Sequence, residues 1–201
     1  MSALPDHHMT REEYYALEER GLGKHEYLQG HIFAMTGGSM AHSRIAVNIS
    51  ATLNAQLRGK PCQTLNSDFR IKITATGLET YPDVSVICRP LQFVEDRRDV
   101  ATNPVVIVEV LSPSTEEYDR GTKFKHYRTI PSLRAYLLVS QEQMLVEHWT
   151  RQDEHTWVIH DYTAPDQEFR IEAIGVTMKM TDIYDGVEPG DAEASASTTG
   201  E

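Results

Sequence analysis

Only two of the 201 residues are cysteine, Cys62 and Cys88, and no CxxC pair occurs. A disulfide framework or a structural zinc site is therefore not expected, and a reducing cytoplasm is the default compartment. Long hydrophobic runs are also missing. No apolar stretch approaches a membrane span, and the N-terminal MSALPDHHMTREEYY has no apolar signal-peptide core. Basic charge is scarce: 19 Lys and Arg face 30 Asp and Glu, for a formal net charge of −11. No Lys/Arg cluster in the sequence marks a nucleic-acid footprint.

Five acids and no Lys or Arg lie from Asp185 onward, leaving −6 on residues 1–184. The segment VEPGDAEASASTTGE is small, polar and acidic, so residues 187–201 are expected to be a disordered tail. The remainder, residues 1–186, suffices for one domain with a sizeable core. Forty per cent of residues are hydrophobic and 24% charged, the balance of a globular protein.

The pattern along the chain alternates. MTREEYYALEER carries Thr10 and Glu13 at capping-box spacing and Gly21 as a stop, which gives a first helix. HEYLQGHIFAM reads as two short strands turning at Gln29 and Gly30. Ile45, Ile49, Leu53 and Leu57 fall at i+4 steps, an amphipathic helix ending at Gly59. Strand signals follow in DFRIKI, PDVSVIC and VVIVEVL. EEYDRGTKFKHYRTI is helical up to Pro131, AYLLVS is a further strand, and MLVEHWT with TWVIHDYT forms a hairpin. The fold class is α/β or mixed α+β, a mixed central sheet flanked by helices.

One residue is out of place. Glu109 sits inside the β-branched run VVIVEVL between Pro104 and Pro113, and an unpaired carboxylate buried there costs several kcal/mol. It requires a cation, a protonation shift or a mouth onto solvent. Asp83 opens another strand after Pro82, so neighbouring strands would bring the two carboxylates to one point. Two carboxylates, a backbone carbonyl and water make a hard-oxygen shell for Mg²⁺ or Mn²⁺. Asp119, Lys123 and Tyr127 at i, i+4 and i+8 share a helical face, from which Lys123 can reach the sheet edge. The alternative is structural: Glu109 in an internal ion pair, and Lys123 paired with Asp119 on the helix surface. His7, His8, His148, His155 and His160 show no ligand spacing and read as surface residues.

Asp83 in YPDVSVI, Glu109 in VVIVEVLSPST, and Lys123 and Tyr127 in DRGTKFKHY resemble the PD-(D/E)xK nuclease superfamily, and within it the Uma-two family. HEYLQGHIFAM followed by His42, and MTDIYDG near the end, extend the resemblance over residues 10–186. It implies a restriction-endonuclease-like core, a divalent metal and hydrolysis of phosphodiester bonds in nucleic acid, with DNA the expected substrate and a homodimer the expected assembly. Carried over by position, Asp83, Glu109 and the Val110 carbonyl are metal ligands and Lys123 is catalytic. Glu26 is a second-metal ligand or water-orienting residue, and His42 a substrate contact or helix cap. Asp119 and Tyr127 support the site. Arg134 and Leu137 depart from the acidic and tryptophan residues of the family's EYW stretch. Competing readings are a non-catalytic nucleic-acid-binding or regulatory module and a protein-interaction domain.

Overall fold

A computed structural model describes residues 8–35 and 37–188. In α1 (Arg11–Glu19) the capping box forms as expected: the Glu13 N–H donates to Thr10 Oγ1 at 3.2 Å, and the Thr10 N–H donates to Glu13 Oε2 at 2.8 Å. The hairpin of β1 (His25–Leu28) and β2 (His31–Ala34) turns through Gln29 and Gly30, both at positive φ, 50° and 91°. Such two-residue turns match the strand twist. α2 (Met40–Leu57) buries the expected Ile45, Ile49, Leu53 and Leu57.

Strands β3 (Cys62–Asn66), β4 (Arg70–Lys72), β5 (Glu79–Thr80), β6 (Val84–Cys88), β7 (Phe93–Val94), β8 (Arg97–Ala101) and β9 (Pro104–Leu111) follow. The next stretch is not one regular helix. α3 (Glu116–Tyr118) passes through a π-helical turn (Asp119–Lys123) into α4 (Phe124–Tyr127). The chain ends in β10 (Ala135–Ser140), β11 (Val146–Arg151), β12 (Trp157–Tyr162), β13 (Glu168–Ile171), β14 (Val176–Lys179) and α5 (Met180–Ile183).

Two six-stranded sheets result, ordered β12-β11-β10-β9-β6-β3 and β2-β1-β5-β4-β8-β7, with β13 and β14 a separate pair. The fold is mixed α+β and restriction-endonuclease-like. The second sheet goes beyond the single sheet expected; its strands are two to five residues long, too short to carry a legible period. β9 is central, parallel to β10 and antiparallel to β6. Its Val106, Val108 and Val110 pack with α2 and the β13–β14 pair, while Ile107 and Leu111 pack with Phe124, Tyr127 and Tyr136. Alternation puts Glu109 on this second face.

Two expectations fail. Cys62 and Cys88 form a disulfide. Their spacing of 26 residues hides the fact that the antiparallel register of β3 and β6 makes them direct cross-strand partners. His148 is buried, 5% exposed, because it faces inward from β11 against the Phe169 ring. His8, His155 and His160 are exposed, and His7 lies outside the described residues. Of the expected tail, residues 189–201 lie outside them too; the Val187 N–H donates to the Tyr184 carbonyl at 3.0 Å.

Burial pushes the His148 imidazole down to about 4, with the nearby His160 adding to the effect. The unfolded chain then binds this proton more readily, so His148 contributes stability in full above its ordinary range and loses it as pH falls toward 4. His148→Phe is expected to flatten the acid side of the stability curve by up to about 3 kcal/mol between pH 6.5 and 4, measured by urea unfolding. An unchanged slope would contradict the burial argument.

Candidate active site

β6 begins at Val84, which pairs with Val108, so β9 continues past the start of its neighbour. Asp83 fills the gap. Its Oδ2 accepts the Val110 N–H at 2.8 Å, and its own N–H points at Glu109 Oε2 at 3.5 Å. Because a strand residue presents N–H and C=O to the same edge, the Val110 carbonyl faces the Asp83 side. Asp83 Oδ1 meets His42 Nε2 at 3.0 Å. His42 stands in the first turn of α2, whose cap is Ser39: Ser39 Oγ accepts the His42 N–H at 3.1 Å and donates to Gln141 Oε1 at 2.5 Å.

The other oxygen of Glu109 faces a buried cation. Lys123 Nζ lies 2.9 Å from Glu109 Oε1, 3.3 Å from Glu26 Oε1 and 3.3 Å from Asp119 Oδ1. The Tyr127 hydroxyl donates to Glu109 Oε1 at 2.7 Å. Glu26, brought over the face of the first sheet by β1, accepts from Thr80 Oγ1 at 2.5 Å and from the Tyr118 hydroxyl at 3.0 Å. Lys123 is 5% exposed, and Glu26, Glu109 and Asp119 are as buried. The π-turn keeps Asp119 and Lys123 facing inward above Tyr127, whereas Lys125 is exposed. Single π-turns inside helices are frequent at functional sites.

Three buried carboxylates around one ammonium leave excess negative charge. Burial pushes the Glu109 carboxyl up, to about 8, and raises Asp119; the Lys123 charge opposes both shifts. Burial alone would lower Lys123, but Glu109, Tyr127, Glu26 and Asp119 carry it well above its ordinary value. Lys123 is therefore a fixed cation.

A cavity of about 450 Å³ opens onto this cluster, lined by Glu26, His42, Asp83, Glu109, Val110, Asp119 and Lys123 among others. The fold thus gathers the sequence candidates at one place, with Tyr127 just behind Glu109. Thr80 and Tyr118, which hold Glu26, carried no signal in the sequence: Thr80 belongs to a two-residue strand, and Tyr118 precedes an irregular turn. The donor chemistry fits one hard cation. Asp83 and Glu109 offer carboxylate oxygens, Glu109 Oε2 has only the long contact to the Asp83 N–H, and the Val110 carbonyl faces the same side. Among the described residues no group of three or more His, Cys, Asp or Glu is placed to hold a metal, so water would complete the shell.

A family model described as "Putative restriction endonuclease" (Uma2) matches residues 11–181. The chain belongs to this family. The Uma2 match contains every candidate from Glu26 to Tyr127. The uncharacterized protein slr1290 of Synechocystis sp. is 42% identical over 181 residues, 89% of this chain and 93% of its own. The uncharacterized protein sll1609 of the same organism is 34% identical over 160 residues, 80% of this chain and 90% of its own. A crystal structure of "a putative nuclease belonging to DUF820" from Anabaena variabilis superposes with a TM-score of 0.72 at 16% identity, covering 90% of this chain and 99% of that one. At that identity the likeness establishes the fold.

Removing the ammonium leaves the carboxylates unpaired. Lys123→Met is expected to cost about 3–5 kcal/mol of stability at pH 8 by urea unfolding. Glu109 is raised in the folded state, so its contribution is complete below the ordinary carboxylate range and is lost as pH climbs through about 8. The cost of Lys123→Met should therefore shrink at pH 5, where the carboxyls take protons. Equal cost at both pH values would rule out the ion cluster.

Proposed function

We propose that the protein is a divalent-metal-dependent endonuclease that hydrolyses phosphodiester bonds of nucleic acid, with DNA as substrate and Mg²⁺ or Mn²⁺ as cofactor. The observation that carries this is the meeting of Asp83 and Glu109 across the β6–β9 edge, at a cavity backed by a fixed ammonium. Asp83, Glu109 and the Val110 carbonyl would hold the cation, which supplies Lewis acidity and lowers the pKa of bound water.

The chain's own groups do the rest. In hydrolysis a water oxygen bonds to phosphorus, the P–O bond to the leaving sugar oxygen breaks, and that oxygen takes a proton. Lys123, held as an ammonium among three carboxylates, would stabilise the charge building on the phosphoryl oxygens. His42 fixes Asp83 through Oδ1, and Tyr127 fixes Glu109 through Oε1. Glu26 holds Lys123 in place.

Residues 1–186 form the catalytic domain, and a homodimer would supply two such sites for the two strands of a duplex. A nucleic-acid substrate would suit a cytoplasmic location, against which the Cys62–Cys88 disulfide weighs; among the described residues no helix is long and apolar enough to cross a membrane. A second reading has its own support: Lys123 already supplies counter-charge to Glu109, so the fold can persist as a non-catalytic nucleic-acid-binding module.

Incubation of wild type, Asp83→Asn and Glu109→Gln with supercoiled and linear DNA separates the two. The nuclease reading expects Mg²⁺- or Mn²⁺-dependent cleavage by wild type and at least about 10²-fold less by either variant, the scale seen when a transition-state electrostatic contact is lost. DNA binding without cleavage in any metal would favour the non-catalytic module.

A further inference from the structure

Six of the thirteen arginines of this acidic chain are paired with carboxylates. Arg11, Arg44, Arg70, Arg97, Arg120 and Arg170 each lie within 3.7 Å of a carboxylate. Of the seven that form no ion pair among the described residues, Arg128, Arg134 and Arg151 gather round a single cavity of about 790 Å³. It lies near the start of β10, where Ala135 pairs with Val106, whereas Glu109 is level with Leu138. That is about 10 Å along the strand from the carboxylate site, toward its other end.

The three arginines are built in differently. Arg151 is a staple: Nη1 donates to the Ile130 carbonyl at 2.9 Å, Nη2 donates to the Arg128 carbonyl, and the guanidinium lies 4.9 Å from the Trp157 ring centre. Its Nε is buried and has no hydrogen-bond partner among the described residues. Arg134 donates to the Pro131 carbonyl at 3.0 Å and, like Arg128, is exposed. Burial, then the charges of Arg134 and Arg128, lower the Arg151 pKa, the mark of like charges held together.

Two carboxylates border the cavity. Asp153 Oδ1 is spent on the N–H groups of His155 and Thr156, both at 2.8 Å. Glu154 favours the Arg151 charge from a distance but makes no ion pair with it within 4 Å. The sequence hid this patch because Arg128 and Arg134 precede β10 whereas Arg151 stands at the end of β11, where the hairpin returns to them.

We propose that this cavity is a phosphate-binding site, distinct from the carboxylate centre, in which Arg128 and Arg134 grip phosphate oxygens above the fixed Arg151. Planar guanidinium forks match phosphate oxygens in pairs, and an arriving anion relieves the mutual repulsion of the three cations. The volume exceeds one phosphate group, so the ligand carries its phosphate on a larger body: a nucleotide, or the backbone of a polynucleotide.

The test titrates the full chain in EDTA with pyrophosphate by calorimetry and with a fluorescent DNA duplex by anisotropy, at two salt concentrations. Wild type is expected to bind at least one probe. Arg128→Glu/Arg134→Glu should weaken it about 10-fold or more and reduce the log–log salt slope for the duplex by about 2. Arg128→Gln alone, a milder change at an exposed position, should weaken it about 3-fold. Arg128→Glu/Arg134→Glu should still titrate with Mn²⁺ as wild type does, which keeps this site's fate separate from that of the carboxylate centre. Loss confined to pyrophosphate assigns a small phosphorylated ligand; loss for the duplex assigns backbone phosphate. Equal affinity in wild type and the arginine variants, or no binding of either probe, overturns the proposal.

Discussion

The contact between Lys123 and Glu109 is the constraint around which the other parts are arranged. A carboxylate on the central strand of a two-faced sheet is unaffordable alone, and the ammonium at 2.9 Å is what makes it tolerable. That ammonium needs company in turn, since burying one lysine against one glutamate leaves lone pairs and protons unsatisfied. Asp119 on the same helical stretch, Glu26 from the second sheet, and the hydroxyls of Tyr127, Thr80 and Tyr118 complete the set. The π-turn, the hairpin and the second sheet thus converge on one buried charge cluster.

Glu109 is divided between two environments. Oε1 belongs to the interior, where Lys123 and Tyr127 hold it; Oε2 turns toward Asp83 at the cavity. An internal ion pair and a metal ligand, set against each other by the sequence, are thus compatible in the same side chain. The pair fixes the carboxylate's orientation, and the free oxygen is what remains for a cation. A divalent ion bound there would offset the excess of negative charge over one ammonium.

Local signals carried far in the sequence. The capping box of Thr10 and Glu13, the Gln29-Gly30 turn and the i+4 leucine and isoleucine ladder of α2 are short-range features, and each forms where its pattern stands. So does the juxtaposition of Asp83 and Glu109, because both lie on strands with strong β-branched patterns and family-like motifs. What could not be read depends on register and on short elements. The Cys62–Cys88 bond needs the β3–β6 alignment, the burial of His148 needs the inward face of β11, and the roles of Thr80 and Tyr118 need a two-residue strand and an irregular helical turn. Lys123 lies on the expected helical face, toward the sheet edge; its depth follows from the second sheet bringing Glu26 over it.

The central claim is that the free face of this cluster holds a divalent ion while Lys123 holds the other. Calorimetric titration of Mn²⁺ into the metal-free protein, repeated in buffers of different ionisation enthalpy, tests it most directly. The account expects a saturable site in wild type, lost in Asp83→Asn/Glu109→Gln, with protons released on binding because the buried carboxyls hold them above their ordinary range. Absence of binding in wild type, or an unchanged site in the double variant, would contradict it and leave the cluster as a purely structural ion network.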